Sequence, residues 1–330
     1  MKVSEIGEFG LIDLLAKMIA DAQINSLALD LLIGIGDDAA AWKCTDVVQL
    51  ATVDSMVQDI HFSLETTTWQ DLGWKSLAIN LSDIAAMGGV PRYALVALSL
   101  PPETEVADVS ALYQGMMELA RQFNVAIVGG NISRSMEVSV TITVIGNSAS
   151  QAILKRSAAR PGDIIAVTGY PGSAAAGLEM LSKKLRFKSP AAKYFKDAFL
   201  RPAPRITEGQ LLIKLGIAAA IDISDGLLAD LRHICQASQV GARVITDFLP
   251  IHDMVKASFK QKALSLALGG GEDYELLFTG SDTAIKEARN ELRCPVTAIG
   301  EITADEPGKI NLVDAAGCPV KIGRMGWTHF

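Results

Sequence analysis

Cysteine is scarce in this 330-residue chain: there are four, Cys44, Cys235, Cys294 and Cys318, and none forms a C-x-x-C pair. That scatter argues against a zinc ribbon or a disulfide framework and fits a reducing compartment. The four histidines are equally dispersed, at positions 61, 233, 252 and 329. No apolar run approaches the ~18–20 residues that a membrane span needs. The segment Met1-Lys2-Val3-Ser4-Glu5 lacks the basic and apolar blocks of a signal peptide, so a cytoplasmic location is expected. Positive charge is also short, with 30 Lys and Arg against 37 Asp and Glu and a net charge of −7. The basic stripe of a nucleic-acid binder is missing, and the small cluster Lys183, Lys184, Arg186 and Lys188 reads as a solvated helix end. Neither a G-x-x-x-x-G-K-[ST] P-loop nor the protein-kinase signature set occurs. An acidic protein of this kind that handles a phosphate needs a cation between itself and that ligand.

What is present is a chain with 49% hydrophobic and 20% charged residues, long enough for two domains with sizeable cores. The apolar spacing switches repeatedly between periods of 3.6 and 2, the mark of a mixed α/β fold. Helices are predicted over 11–20, 70–87, 106–122 and 169–181, and another from Leu227 on. Strands are predicted over 47–54, 92–100, 125–129, 137–146, 164–168 and 217–223. In the 70–87 helix Trp74, Leu77, Ala78, Leu81, Ile84 and Ala85 share one face, and Ser76, Asn80 and Asp83 fall on another stripe. Arg201-Pro202-Ala203-Pro204 reads as a rigid connector, and the weak polar break at 148–150 divides the chain into domains 1–148 and 149–330.

Acids occur where a phosphate site would be expected. Gly34-Ile35-Gly36-Asp37-Asp38-Ala39 matches the dinucleotide pattern G-x-G-x-x-A. That pattern works by presenting bare backbone N–H groups to a pyrophosphate, which two carboxylates would repel, and it needs a following helix where this sequence predicts a strand. Magnesium lying between the carboxylates and a phosphate removes the conflict, although an Asp-rich turn accounts for the string equally simply. Asp54 ends a strand after Thr52. Asp83 interrupts an apolar helix and could face solvent. Asp222 and Ser224 share a face at the end of a strand, and Asp225 follows where it could cap the next helix. Gly129-Gly130-Asn131 and Gly269-Gly270-Gly271-Glu272 add loops that permit close backbone approach to a ligand.

Taken in order, these motifs resemble the thiamine-monophosphate kinases, within the superfamily of aminoimidazole ribonucleotide synthetase and selenophosphate synthetase. The resemblance runs from Gly7-Glu8-Phe9 to Gly326-Trp327-Thr328-His329-Phe330. It is carried by the 34–39 string, Asn80-Leu81-Ser82-Asp83-Ile84-Ala85-Ala86-Met87-Gly88, Arg201-Pro202-x-Pro204-Arg205, Asp222-x-Ser224-Asp225-Gly226-Leu227 and Gly270-Gly271-Glu272-Asp273-Tyr274-Glu275-Leu276. It implies two mixed α/β domains, the first mediating a homodimer, with ATP and several Mg²⁺ ions in the cleft between them. It implies metal ligation by Asp38, Asp54, Asp83, Asp222 and Asp225 with Thr52 assisting, and Asp37 as a helper. Tyr113, Gly130, Asn131, Arg156 and Ser224 would contact ATP, and His61, Glu272 and Trp327 the thiamine substrate. Where the family commonly has Gly-Gly-Asp, this chain has Gly129-Gly130-Asn131, which keeps an oxygen ligand but loses a charge.

The implied reaction moves the γ-phosphoryl group of ATP onto thiamine monophosphate. Such transfer rests on positioning and charge neutralisation. The acceptor oxygen is already ionised, so no general base and no phosphoenzyme are expected. The competing readings are another ATP-using enzyme of the superfamily and a non-catalytic nucleotide-binding protein. Selenophosphate synthesis calls for an early reactive cysteine, for which Cys44 is the sole candidate. The intact acids speak against the non-catalytic reading.

Overall fold

The computed structural model describes residues 30–44, 46–148 and 151–321, with isolated positions nearer the N-terminus. The helix expected over 11–20 lies mainly outside the described residues, as do Gly7–Phe9 and Trp327, and the boundary expected at 148–150 falls partly on undescribed residues. The first part of the chain forms β1 (Leu31–Ile33), β2 (Ala40–Cys44), β3 (Val47–Val57), α1 (Trp69–Ala86), β4 (Val90–Leu100), α2 (Val106–Phe123), β5 (Ala126–Arg134) and β6 (Ser139–Asn147). The second forms β7 (Ile164–Thr168), α3 (Ser173–Ser182), α4 (Ser189–Leu200), α5 (Ile206–Lys214), β8 (Ala219–Asp222), α6 (Leu227–Ala237) and β9 (Gly241–Ile245). It continues through α7 (Asp253–Phe259), α8 (Ala263–Gly269), β10 (Leu276–Gly280), α9 (Asp282–Glu291), β11 (Val296–Thr303) and β12 (Ile310–Val313).

Among the described residues two mixed sheets of six strands result, ordered β1-β2-β3-β6-β4-β5 and β12-β9-β11-β7-β10-β8. In the first only β4 and β5 pair in parallel, joined by the α2 crossover; in the second only β12 and β9 do. Alternation along β3 decides which face is covered. Val48, Leu50 and Met56 are buried against the helical layer, and Val53 and Ser55 point the other way into the open. The strand continues to Val57, so Asp54 lies within it rather than at its end. Among the described residues no helix is long and apolar enough to cross a membrane.

Helix α1 organises the molecule. Its N-terminus is capped by Thr68, whose hydroxyl accepts the Asp71 N–H at 3.1 Å. All but Trp69, Gln70 and Asp83 of its 18 residues are buried. It packs on α2, β3 and β6 of the first domain and on α5 and β8 of the second. The polar stripe seen in the sequence therefore faces protein, and the solvent reading of Asp83 gives way to a hydrogen-bonded one. One apolar core runs continuously from Leu50, Leu77 and Val144 to Leu212, Ala220 and Phe278 of the second domain.

The connector is fastened at both ends. Arg201 pairs with Asp71 at 2.6 Å, and the Trp74 indole donates to the Pro202 carbonyl at 2.9 Å. Arg205 grips Glu275 through both carboxylate oxygens, at 2.5 and 2.6 Å. The contact of α1 with α2 depends on two glycines. A Cβ on Gly73 would stand 1.8 Å from the Leu112 carbonyl oxygen, and one on Gly115 would stand 1.9 Å from that of Gln70. Replacing an ordinary helical glycine by alanine stabilises by about 1 kcal/mol. Here the sign reverses, because backbone blocks the added methyl. Gly115→Ala is expected to lower stability by roughly 1–3 kcal/mol in a denaturant titration; a stabilised variant would refute the close contact.

Candidate active site

The acidic cluster is assembled from segments distant in sequence. Asp38 follows the turn before β2, Asp83 lies in α1, and Asp222 ends β8. An oxygen from each lies within 4.8 Å of the other two. Thr52, on the covered face of β3, donates to Asp83 at 2.5 Å, and Ser82 donates across the domain junction to Asp222 at 2.6 Å. Asn80 accepts the Asp54 N–H at 3.0 Å, which anchors β3 to α1 beside the cluster. Arg156 places its guanidinium on Asp38, at 2.6 Å from Nη2 and 3.3 Å from Nε, and its backbone N–H donates to Asp37 at 3.2 Å.

The electrostatics follow from this crowding. Burial and then the charges of Asp54, Asp222 and Asp38 hold the Asp83 carboxyl well above the usual range, despite the Thr52 bond. Burial and then Asp38 do the same to Asp222. Burial, followed by the charge of Asp38, pushes Asp37 up to about 6. Burial opposes the Arg156 charge, but Asp38 and Asp37 more than compensate and raise its pKa. One guanidinium among several carboxylates leaves the site short of positive charge. A hard divalent cation suits such a set, which offers only oxygen donors. The residues thus fit magnesium.

Asp225 belongs to a neighbouring group. Its carboxylate lies with ligand atoms of Asp230 and His233, again within 4.8 Å. The N-cap position of α6 falls to Gly226 rather than Asp225, and Asp230 accepts the Gly226 N–H at 3.0 Å. Burial, then Asp225 and Asp222, raise the Asp230 pKa, and burial followed by Arg156 lowers His233 to about 4. Asp230 and His233 are absent from the residues expected on sequence grounds. Their spacing of three on one helix, directly after Asp225, was the available signal.

Beside the acids opens a pocket of about 440 Å³. His61, Ser224 and Glu272 line it, so three of the expected ligand contacts meet in one place. His61 is oriented by the Val57 N–H, which donates to its Nδ1 at 3.0 Å. Gly271 sets the wall: a Cβ there would stand 2.2 Å from the Ser224 carbonyl oxygen, so the glycine loop and the Asp222–Gly226 loop touch through backbone. Leu178, Glu179 and Lys183 of the α3 region complete the far side. Lys183 is exposed and paired with Glu179 at 2.9 Å, a solvated helix end as expected, yet it borders the pocket.

Other expected residues are not brought here. Tyr113 lies on α2, half-buried against the first core. Gly130 and Asn131 lie on β5, three strands from β3, or roughly 14 Å at the usual strand spacing. Pairing sets Asn131 beside Ala97, which points to the open face, away from Thr52 and Asp54.

Residues 36–148 match the family model for the AIR synthase related protein N-terminal domain, and 160–313 match that for its C-terminal domain. Thiamine-monophosphate kinase of Salmonella typhimurium (strain LT2) is 41% identical over 314 residues, covering 93% of this chain and 95% of that one. The enzyme of that name from Aquifex aeolicus (strain VF5) is 34% identical over the full length of both. The chain belongs to the thiamine-monophosphate kinase family. Among solved structures, AaThiL complexed with AMPPCP and TMP superposes with a TM-score of 0.87 at 32% identity, covering 100% of this chain and 99% of that one. Each strand and helix that builds the acidic cluster of this thiamine-monophosphate kinase family member lies within the two matched ranges.

Asp37, Asp83 and Asp222 bind protons more tightly in the folded chain than in the unfolded one. In metal-free protein their contribution to stability is therefore fullest below the ordinary carboxylate range near pH 4. It is lost as pH rises through the folded values, which for Asp37 is about 6. Asp83→Asn, which removes one charge and keeps an acceptor for Thr52, is expected to melt at least about 2 °C above wild type at pH 8 in EDTA. The difference should shrink toward pH 4. Scanning calorimetry at the two pH values checks both, and a lower melting point for the variant at pH 8 would contradict the cluster's electrostatics.

Proposed function

We propose that this protein transfers the γ-phosphoryl group of ATP to thiamine monophosphate, giving thiamine diphosphate and ADP, with magnesium held by Asp38, Asp54, Asp83, Asp222 and Asp225. The observation that carries the reading is the Asp38–Asp83–Asp222 cluster, joined through the Asp222–Ser224 segment to a pocket lined by His61 and Glu272. Full-length relatives of the same name and the structural likeness to AaThiL with its two ligands support it.

Bound magnesium would neutralise phosphate charge and hold donor and acceptor in line. The chain's own part is positioning. Thr52 and Ser82 fix the rotamers of Asp83 and Asp222 by short hydrogen bonds. Arg156 supplies a permanent cation that can exchange a carboxylate for a phosphate oxygen. Ser224 faces the pocket at the junction where donor and acceptor would meet. His61 and Glu272, with Trp327 from outside the described residues, select the thiamine end, Glu272 through opposite charge to the thiazolium. No side chain is assigned as a general base, because the attacking phosphate oxygen is already ionised.

The homodimer belongs to the same reading. Val53, Tyr93 and Leu95 form an exposed apolar row on the open face of the first sheet, and Val128 and Ile132 are exposed on its edge strand. Apolar exposure of this kind on one face of a sheet marks an interaction surface. A second copy on that face would also meet Asn131, which pairs beside Ala97 on the open side of the sheet. Location in the cytoplasm is part of the proposal too, resting on the sparse cysteines, which form no C-x-x-C pair in the sequence.

Incubation with ATP, magnesium and thiamine monophosphate should yield thiamine diphosphate and ADP in equal amounts, and EDTA should abolish the reaction. Asp222→Asn is expected to cut turnover roughly a hundred- to a thousand-fold while the fold, followed by circular dichroism, persists. Absence of product under these conditions, or unimpaired turnover in the variant, would overturn the assignment. Leu95→Asp should halve the mass found by sedimentation equilibrium. An unchanged mass would place the dimer contact elsewhere or remove it.

A further inference from the structure

Lys75 is a lysine where the physics of burial opposes one. It sits in the middle of α1 at 1% exposure, and among the described residues it is the one cationic side chain that is fully buried. Its ammonium lies 2.8 Å from Oε1 of Glu272 and 3.6 Å from the centroid of the Phe199 ring. The three groups come from three segments: α1 in the first domain, the glycine loop in the second, and α4. A methionine has nearly the same length and would fill the space without desolvating a charge, so stability alone does not call for this pair.

The partner is the informative part. Glu272 adopts a left-handed backbone, φ 65°, which a residue with a Cβ rarely takes. Its N–H donates to the Ser224 carbonyl at 2.7 Å, which binds the loop to the segment that carries Asp222. Its side chain keeps 26% exposure and lines the pocket. A strained residue is thus held by backbone on one side and by Lys75 on the other, with its carboxylate presented to a ligand space. Strain retained in this way is a mark of ligand clamps.

We infer that Lys75 is a positioning residue for the acceptor: from behind the pocket wall it fixes the Glu272 carboxylate at the place where the cationic ring of the acceptor is read. The inference rests on the assignment of Glu272 to the acceptor. Lys75 itself reaches neither substrate. Its loss frees Glu272 to change rotamer and the loop to relax, and the damage falls on recognition of the acceptor rather than on ATP.

The test uses the whole protein and steady-state kinetics with thiamine monophosphate and ATP varied separately. Lys75→Met is expected to raise KM for thiamine monophosphate at least ten-fold, with KM for ATP changed less than two-fold. Glu272→Gln should raise the same constant, and Lys75→Met with Glu272→Gln together should be no worse than Glu272→Gln alone, because Lys75 acts only through that carboxylate. Parallel rises in both KM values, or losses that multiply in the double variant, would show Lys75 to be core packing and overturn the inference. A normal Lys75→Met beside an impaired Glu272→Gln overturns the inference alone. A normal Glu272→Gln overturns the acceptor assignment and the inference with it. Should Lys75→Met fail to fold, Lys75→Arg keeps the charge but replaces a compact ammonium by a planar fork. A several-fold rise confined to the acceptor KM is then expected, and an unchanged acceptor KM counts against the inference.

Discussion

Asp38, Asp83 and Asp222 repel one another, and most of what distinguishes this structure answers that repulsion. Three carboxylates gathered within 4.8 Å in a largely buried setting would drift apart if their backbones were free, since like charges close together in low dielectric are costly. Each is therefore mounted on an element fixed for other reasons. Asp83 rides on a helix enclosed by both domains, Asp222 ends a strand buried along its length, and Asp38 is clamped by Arg156. The hydroxyls of Thr52 and Ser82 are small, neutral donors that steer the acids without cancelling their charge. The cluster is left with a deficit of positive charge that Arg156 only partly fills.

Much of this is legible in the sequence, for reasons that can be named. β4 and α2 can be read nearly to their ends because each is covered on one side by a regular layer, which imposes a clean period, whereas α1, buried nearly all round, is bounded by its Thr68 cap and by Gly88-Gly89. The acids stand out because carboxylates beside glycine loops contradict a plain phosphate-binding loop and so ask for a metal. What escapes a linear reading is whatever depends on the second domain closing over the first. A solvent-facing Asp83 is consistent with the sequence, because the groups that enclose α1's polar stripe include β8 and the Asp222 turn; Ser82 and its partner Asp222 are 140 residues apart. Lys75 draws no notice among the apolar residues of α1, because nothing local says that Glu272 will stand opposite it. Sheet order is equally hidden. It sets Gly130 and Asn131 on an edge strand, far from the acids that their place among the motifs associates them with.

The pocket and the acidic cluster divide the chemistry between hard and soft surroundings. The cluster offers oxygen alone and a deficit of positive charge. The pocket wall is more mixed, with Ile60, Leu178 and Leu266 alongside His61, Glu272 and Lys183. A ligand with a phosphate at one end and an aromatic cation at the other matches that polarity from end to end. Orientation would then follow from the fold before any specific hydrogen bond is made.

The apolar core that crosses from Leu50 and Leu77 to Leu212 and Phe278 bears on how the protein comes apart. Two family models describe two domains, yet α1 is finished only when both are present, and the Arg201–Arg205 strap is anchored in each. Pulling the halves apart would expose a helix that is buried nearly all round, together with a lysine and several acids stripped of their partners. Unfolding should accordingly proceed as one concerted transition, and a nascent first domain must wait for the second to emerge before its central helix is satisfied.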